Sequence, residues 1–395
     1  MKKIIGTSDF VSNLGHELIF NDECLEFLEQ LSIMISEQIK RGEIDKKFIY
    51  FAQWTRRRNL LKLKEEYVHK VKRYGKGVSV HIAPSNVSTN ALFTYVFGLL
   101  AGNHVCVRIS KKSSEELVDI IKTLKKALNS YPKINRRSFI IESEHGDKDF
   151  EDIVIKAESL VVWGGDNTVN YFKSLPTQIL QSQIFFPNRS SLSIMSLEWL
   201  SKSSEEEIKK IADKFSADLF AFGQKACSSP KVLCLYGKKN QMSINKFTIF
   251  IKKVAAKANE MIKAGEYSKS DHFHTSCDAL TTLNECNVLY SDEALLVLEK
   301  NLAKRQENEN NITLDSGCFI AMYISEFESI HEVMAQNAQT LTYCGLSEKE
   351  LEEMIKQIKC TSICRVVEFG KALNITQKWD GHDIIIELSK EIYRV

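Results

Sequence analysis

From residue 75 short apolar runs alternate with helical segments, and this alternation constrains the fold more than any other feature. Val78-Ser-Val-His-Ile82 follows Gly75 and Gly77, then a loop with Pro84, Ser85 and Asn86 leads into a buried helix over residues 88–101 that ends at Gly102-Asn103. Val105-Cys-Val-Arg-Ile109, Phe139-Ile-Ile141 and Ser159-Leu-Val-Val-Trp163 repeat the strand pattern, and the last runs into Gly164-Gly165-Asp166 and another helix. Strands joined through helices lie side by side in a parallel sheet, so the pattern specifies an α/β domain of Rossmann type. Ser113 is expected to cap one of the intervening helices, with Glu115 and Glu116 in its first turn where the dipole favours them.

The flanking regions read differently. Leu25, Phe27, Leu28, Leu31, Ile33, Met34, Ile35 and Ile39 mark a helix-period apolar face, and a second helical segment rich in Lys and Arg is expected from Phe48 to Val71. Its run Arg56-Arg57-Arg58 reads as a solvated helix face rather than a nucleic-acid contact. A second unit begins near residue 205 with a helix over Glu205–Phe215, and residues 243–265 form another helix. A less regular region follows with His272-Phe-His274 and Cys277, then a polar loop at Asn308–Asn311, a strand over Phe319–Ile324 and a charged helix over 347–358.

Composition excludes several classes. The chain has 395 residues, a net charge of +2, 44% hydrophobic and 26% charged residues, which is ordinary for a globular protein of two or three domains. That charge gives no drive toward nucleic acid or anionic lipid. No apolar run reaches the about 18 residues of a membrane span, and Met1-Lys-Lys-Ile-Ile-Gly6 does not read as a secretory signal. Ten dispersed cysteines then point to reduced thiols in the cytoplasm. There is no Cys-x2-Cys pair, Cys360 and Cys364 lack nearby histidines, and no metal site is expected.

Phe222-Gly-Gln-Lys-Ala-Cys-Ser-Ser-Pro230 places one cysteine, Cys227, in a small, polar, turn-prone segment just before the strand-like run Val232-Leu-Cys-Leu-Tyr236. A thiol presented there attacks an acyl carbon if its pKa is lowered, and the plain alternative is an ordinary loop cysteine. Gly164-Gly165, between a strand and a helix, suits close backbone approach to a phosphate or a simple tight turn. Arg108, at a strand end, suits an adenosine phosphate or the surface. Asn86 suits an oxyanion or its own turn. His81 reads as a packed core histidine, and His272 and His274 alternate along a strand or loop with no third ligand to pair them.

Five segments in order resemble the LuxC-type acyl-CoA reductase family, the fatty-acid reductase branch of the aldehyde dehydrogenase superfamily. They are Gly77-Val-Ser-Val-His-Ile-Ala-Pro-Ser-Asn-Val87, Ala101-Gly-Asn-His-Val105, Val162-Trp-Gly-Gly-Asp166, the Cys227 segment and Trp379-Asp-Gly381. They span roughly residues 75–385, and the first 70 residues carry no matching motif. The resemblance implies an aldehyde-dehydrogenase-like α/β fold: a Rossmann-type nucleotide-binding domain over 1–204, completed by 366–395, and an α/β catalytic domain over 205–365. It implies reduction of an acyl-CoA or acyl-protein thioester to an aldehyde with NADPH, NADH being compatible, and a homo-oligomer. An acyl-protein synthetase is a further partner the family allows. Cys227 falls on the nucleophile and Asn86 on the oxyanion-hole asparagine. Arg108 and Ser110 fall where the superfamily has a Lys-Pro-Ser segment that contacts the adenosine ribose, and Gly164 and Gly165 on the dinucleotide turn. In place of the superfamily's Glu-Leu-Gly-Gly segment stands Phe185-Phe-Pro-Asn-Arg-Ser-Ser191, with no glutamate to activate water. That absence favours reduction of a thioester over oxidation of an aldehyde. CoA-acylating oxidation of a short aldehyde and a catalytically silent acyl- or nucleotide-binding partner are the alternatives.

Overall fold

The computed structural model describes residues 1–6, 16–67, 72–144, 146–283, 285–301, 314–333, 337–358 and 362–393. They fall into two compact units, Met1–Pro187 with Thr376–Val395, and Asn188–Ile375.

The first unit contains β1 (Lys2–Ile5), β2 (Arg73–Gly75), β3 (Val78–Ile82), β4 (His104–Ile109), β5 (Ser138–Glu142), β6 (Ser159–Trp163) and β7 (Ser182–Phe186). Six of them form a sheet in the order β1-β5-β4-β3-β6-β7, parallel throughout except where β1 meets β5. This is the parallel sheet of Rossmann type read from the sequence, with β1 added antiparallel at one edge. β3 to β6 are buried along almost their whole length because both faces are covered. On one face Val80, Ile82, Cys106, Ile141 and Val162 pack with Phe150, Val154, Val169 and Phe172. The helix Asn90–Leu100 is buried at every position after Asn90.

The N-terminal helix Asp22–Lys40 starts where the Asn21 side chain accepts from the Cys24 amide at 2.9 Å, and it buries Leu25, Leu28, Leu31, Ile35 and Ile39. Ile33, counted in its apolar face, is 41% exposed. The single helix expected over Phe48–Val71 is instead two, Ile49–Trp54 and Arg57–Glu65, and Val71 lies outside the described residues. The break falls at Thr55-Arg56, where the Thr55 hydroxyl bonds back to the Phe51 carbonyl at 2.9 Å and Arg56 turns extended.

The second unit is built on β8 (Ser190–Ser196), β9 (Pro230–Tyr236), β10 (Cys286–Ser291), β11 (Leu296–Lys300), β12 (Cys318–Ile324), β13 (Ala338–Cys344) and β14 (Arg365–Glu368). Their order is β10-β11-β12-β9-β8-β13-β14, parallel except for the β10/β11 hairpin. Helices Glu205–Phe220 and Gln241–Ala264 cover one face through Phe215, Leu219, Phe250 and Val254. Helices Lys269–Thr282 and Glu348–Gln357 contribute Ala279, Leu351 and Met354 to the other. His272 and His274 therefore lie on a helix, not along a strand or loop. Ser268 and Asp271 cap that helix reciprocally, a start signal that the scarcity of apolar residues in the segment hides from a periodicity argument. The loop Asn308–Asn311 lies outside the described residues.

Candidate active site

Three parallel strands end side by side in the first unit. β3 lies between β4 and β6, with Ile82 opposite both Arg108 and Val162. The chain leaves β3 toward one side of the sheet and later returns on the other, so the carboxyl ends of β3 and β6 flank a topological switch point, where open α/β sheets bind ligands. Asn86 stands exposed in the loop after β3. Gly164 and Gly165 follow β6, and Gly165 is the N-cap residue of the helix Asp166–Lys173. A Cβ on Gly165 would meet nothing within 4 Å, whereas one on Gly164 would press on Thr168 at 3.0 Å. Arg108 is buried, and its Nε donates to the Ser143 carbonyl at 2.8 Å. Burial pushes its pKa down, but an arginine keeps its charge. Ser110, not Ser113, caps the helix Lys111–Glu116: its hydroxyl accepts from the Ser113 amide at 3.2 Å. Ser113 lies one turn inside and is buried.

Two other motifs are structural. His81 is fully buried, with its ring nitrogens 2.8 Å from Ser79 Oγ and 2.6 Å from Thr94 Oγ1, and burial pushes its pKa down to about 3. Trp379-Asp-Gly381 forms a tight hairpin in which Asp380 and Gly381 take φ of 50° and 81°, with Trp379 opposite His382. Its neighbour Asp383 accepts from the Tyr67 hydroxyl at 3.0 Å.

Cys227 belongs to the second unit. The helix Glu205–Phe220 ends in a turn with Phe222, Gly223 and Gln224 all in the left-handed region, at φ of 55°, 61° and 63°. Each non-glycine residue held there costs on the order of 1–2 kcal/mol, so the surroundings must impose the shape. They do so mainly through Gln224, which is fully buried. Its Nε2 donates to the Pro230 and Cys318 carbonyls at 3.2 and 2.9 Å, and its Oε1 accepts from the Gly317 amide at 3.0 Å. The Lys231 ammonium donates to the Gln224 carbonyl. The Ser191 hydroxyl donates to the Cys227 carbonyl at 2.8 Å and accepts from the Thr340 amide at 3.3 Å. Cys227 is thus carried half-buried on a turn closed at both ends, between buried Ala226 and buried Ser228.

The surrounding electrostatics separate this thiol from others. Burial pushes the Cys24, Cys318 and Cys344 thiols up to about 12, which leaves them protonated and inert near neutrality. Cys227 lies within electrostatic reach of Lys231, whose pKa burial pulls down to about 8 against the opposing pull of Asp315, Cys227 and Cys318. Ser191, Gln224 and Lys231 were not singled out by sequence reasoning. For Gln224 a signal existed in the Gly-Gln turn, but for the other two only the strand pairing brings them to the turn. Among the described residues no group of three or more His, Cys, Asp or Glu side chains is placed to hold a metal ion.

Two units, each built on a largely parallel sheet with helices on its faces, are those of the aldehyde dehydrogenase fold, and solved oxidoreductases share it. An oxidoreductase from Marinobacter aquaeolei superposes with a TM-score of 0.68 at 11% identity, covering 96% of this chain and 87% of that one. The glyceraldehyde-3-phosphate dehydrogenase GapN from Methanocaldococcus jannaschii, complexed with NADP, gives 0.63 at 12%, covering 93% and 88%. PnpE in complex with nicotinamide adenine dinucleotide gives 0.64 at 12%, covering 93% and 84%. No curated protein matches the sequence. The acyl-CoA reductase (LuxC) family model matches residues 20–391, so the chain belongs to that family.

Proposed function

We propose that this protein reduces an acyl-CoA or acyl-protein thioester to the aldehyde with NADPH, through an acyl-enzyme on Cys227. The observation that carries the reading is the Cys227 turn, whose backbone is braced by Gln224 and Ser191 and carries a half-buried thiol, while Cys24, Cys318 and Cys344 are silenced by burial. The segment leading into β8, Phe185–Ser191, offers no carboxylate to activate water, so an acyl-enzyme there would persist long enough to be reduced.

The Cys227 thiolate attacks the acyl carbon, and the carbonyl π electrons move to oxygen. Asn86 is the side-chain donor that family resemblance assigns to this oxyanion, a role worth about 3–4 kcal/mol in comparable sites. Collapse breaks the bond to the donor thiol, which takes up one proton, and leaves the acyl group on Cys227. A nicotinamide held by the first unit would supply the hydride to the acyl carbon. Cys227 is then the leaving group: its C–S bond breaks as the oxyanion collapses to the aldehyde, and the thiolate is restored.

The first unit fits a dinucleotide. The open backbone at Gly165 heads the helix after β6, and Arg108 supplies a permanent charge at the end of β4, one strand beyond β3. Ser110 extends the same edge. NADPH is the favoured form and NADH is compatible. The reading includes a cytoplasmic setting and a homo-oligomer, and an acyl-protein synthetase as the source of a protein-bound donor.

Intact-protein mass spectrometry with a panel of acyl-CoAs tests the reading. An acyl adduct on Cys227 is expected, lost on addition of NADPH as aldehyde appears. Reductase activity retained in Cys227→Ala would sink the assignment.

A further inference from the structure

We propose that Lys231 is the positioning charge for Cys227, its ammonium closing the turn that carries the thiol and holding that thiol in its deprotonated, reactive form. The proposal rests on the reading of Cys227 as the nucleophile.

Lys231 is the second residue of β9 and shares a face with Leu233 and Leu235, which pack into the core beneath helix Glu205–Phe220. Lysines at such positions ordinarily run their stems along apolar surface and leave the ammonium in water. This one turns back and gives its ammonium to the Gln224 carbonyl, three residues before the cysteine. Any neutral donor would brace that carbonyl. A charge placed half-buried costs desolvation, and burial accordingly pulls the Lys231 pKa to about 8. What the charge adds beyond a neutral donor is its field at the neighbouring thiol.

The groups that face it decide which partner responds. Asp315, before β12, attracts the ammonium, but one of its oxygens is already engaged by the Thr275 hydroxyl at 2.8 Å. Cys318, at the start of β12, is buried with its pKa pushed up to about 12 and is therefore a neutral thiol. His272, on helix Lys269–Thr282, donates through Nδ1 to the Ser316 carbonyl at 2.7 Å. Lys225 is exposed on the turn and interacts with Asp271. The ammonium favours the thiolate of Cys318 as well, but burial outweighs it there; Cys227 is the less buried of the two thiols, and Ser191 keeps it in place by anchoring its carbonyl. A close cation lowers a thiol pKa by about 1–3 units.

The test is the pH dependence of iodoacetamide alkylation at Cys227, read by peptide mass spectrometry, with exposed Cys277 as the comparison thiol in the same digest. In the unaltered protein the Cys227 midpoint should lie at least one unit below the about 8.5 of an ordinary cysteine. Lys231→Gln keeps a donor for the Gln224 carbonyl and removes the charge. It should move the midpoint up by about one unit and slow alkylation at pH 7 about tenfold, and Lys231→Arg should restore most of both. An unaltered profile in Lys231→Gln overturns the proposal. So does a midpoint at or above about 8.5 in the unaltered protein, a measurement that stands even if the variants do not fold. Alkylation needs neither acyl donor nor nucleotide. A shifted midpoint without any acyl adduct would leave the charge pairing in place and remove the reductase reading alone.

Discussion

The Ser191 hydroxyl donates to the carbonyl of Cys227 at 2.8 Å, across 36 residues of chain, and ties the cysteine turn to the first residues of β8. The same oxygen accepts from the Thr340 amide at 3.3 Å, so one side chain joins the turn, β8 and β13. Pairing sets this up, because Ser191 lies opposite Pro230 on one side and Thr340 on the other.

Ser191→Ala should therefore do two things. Loss of the bond should cost about 1 kcal/mol of stability, read as a shift in the urea midpoint. The loosened cysteine should form its acyl-enzyme about tenfold more slowly, since small misplacements of a reacting group carry such penalties. A variant that acylates at the unaltered rate would show that the hydroxyl does not hold the thiol in register.

Gln224 and Gly223 should report on the turn itself. Gln224→Ala leaves the buried Gly317 amide without its acceptor and two carbonyls without their donor, and the expected loss is about 2–4 kcal/mol. Gly223→Ala places a methyl 2.9 Å from the Glu266 carbonyl oxygen at a φ of 61°, with an expected loss of about 1–3 kcal/mol. Denaturant unfolding measures both. Full stability in either variant would mean that the turn rearranges readily.

Two buried groups give opposite pH dependences. The His81 pKa falls to about 3 on folding because burial disfavours the cation, so the unfolded chain binds the extra proton. Its contribution to stability is complete above about 6.5 and is lost as pH falls toward 3. Its ring resonances should stay constant from pH 8 down to 5, and a titration midpoint near 6.5 would contradict this. Asp218 accepts from the Gly370 and Ala372 amides at 2.6 and 2.9 Å, yet burial pushes its pKa up to about 6. The folded state therefore holds this proton more tightly, and the stability it lends declines as pH rises from about 4 through 6. The stability difference between the unaltered protein and Asp218→Asn should narrow over that interval, and a constant difference would contradict the assignment.

Much of the first unit was legible as sequence. β3, β4, β5 and β6 are short runs rich in apolar residues that lie between helices, which a linear pattern records directly. β7 and β8 were not legible. Ser182-Gln-Ile-Phe-Phe186 and Ser190-Ser-Leu-Ser-Ile-Met-Ser196 carry polar residues that look like loop, and become strands because neighbours pair with them. Ser113 was mistaken for a cap because the cap position depends on where the chain leaves β4, and that places Ser110 first. The histidine pair read as strand or loop because its helix buries little beyond His272 and Ala279 and shows no clear apolar stripe.

By itself the sequence determined the alternation that makes a parallel sheet, the glycines at its strand ends, and a cysteine set among small polar residues. These are local properties, written in hydrophobic period and backbone freedom. Only the tertiary structure decided what surrounds the cysteine. Gln224 gains its three bonds from Pro230, Gly317 and Cys318, Ser191 reaches Cys227 through β8–β9 pairing, and Lys231 turns back to Gln224 rather than out to water. Gly317, Cys318 and Ser191 are far along the chain from the turn they hold, and their hydrogen bonds exist only once strand register brings the starting ends of β8, β9 and β12 together.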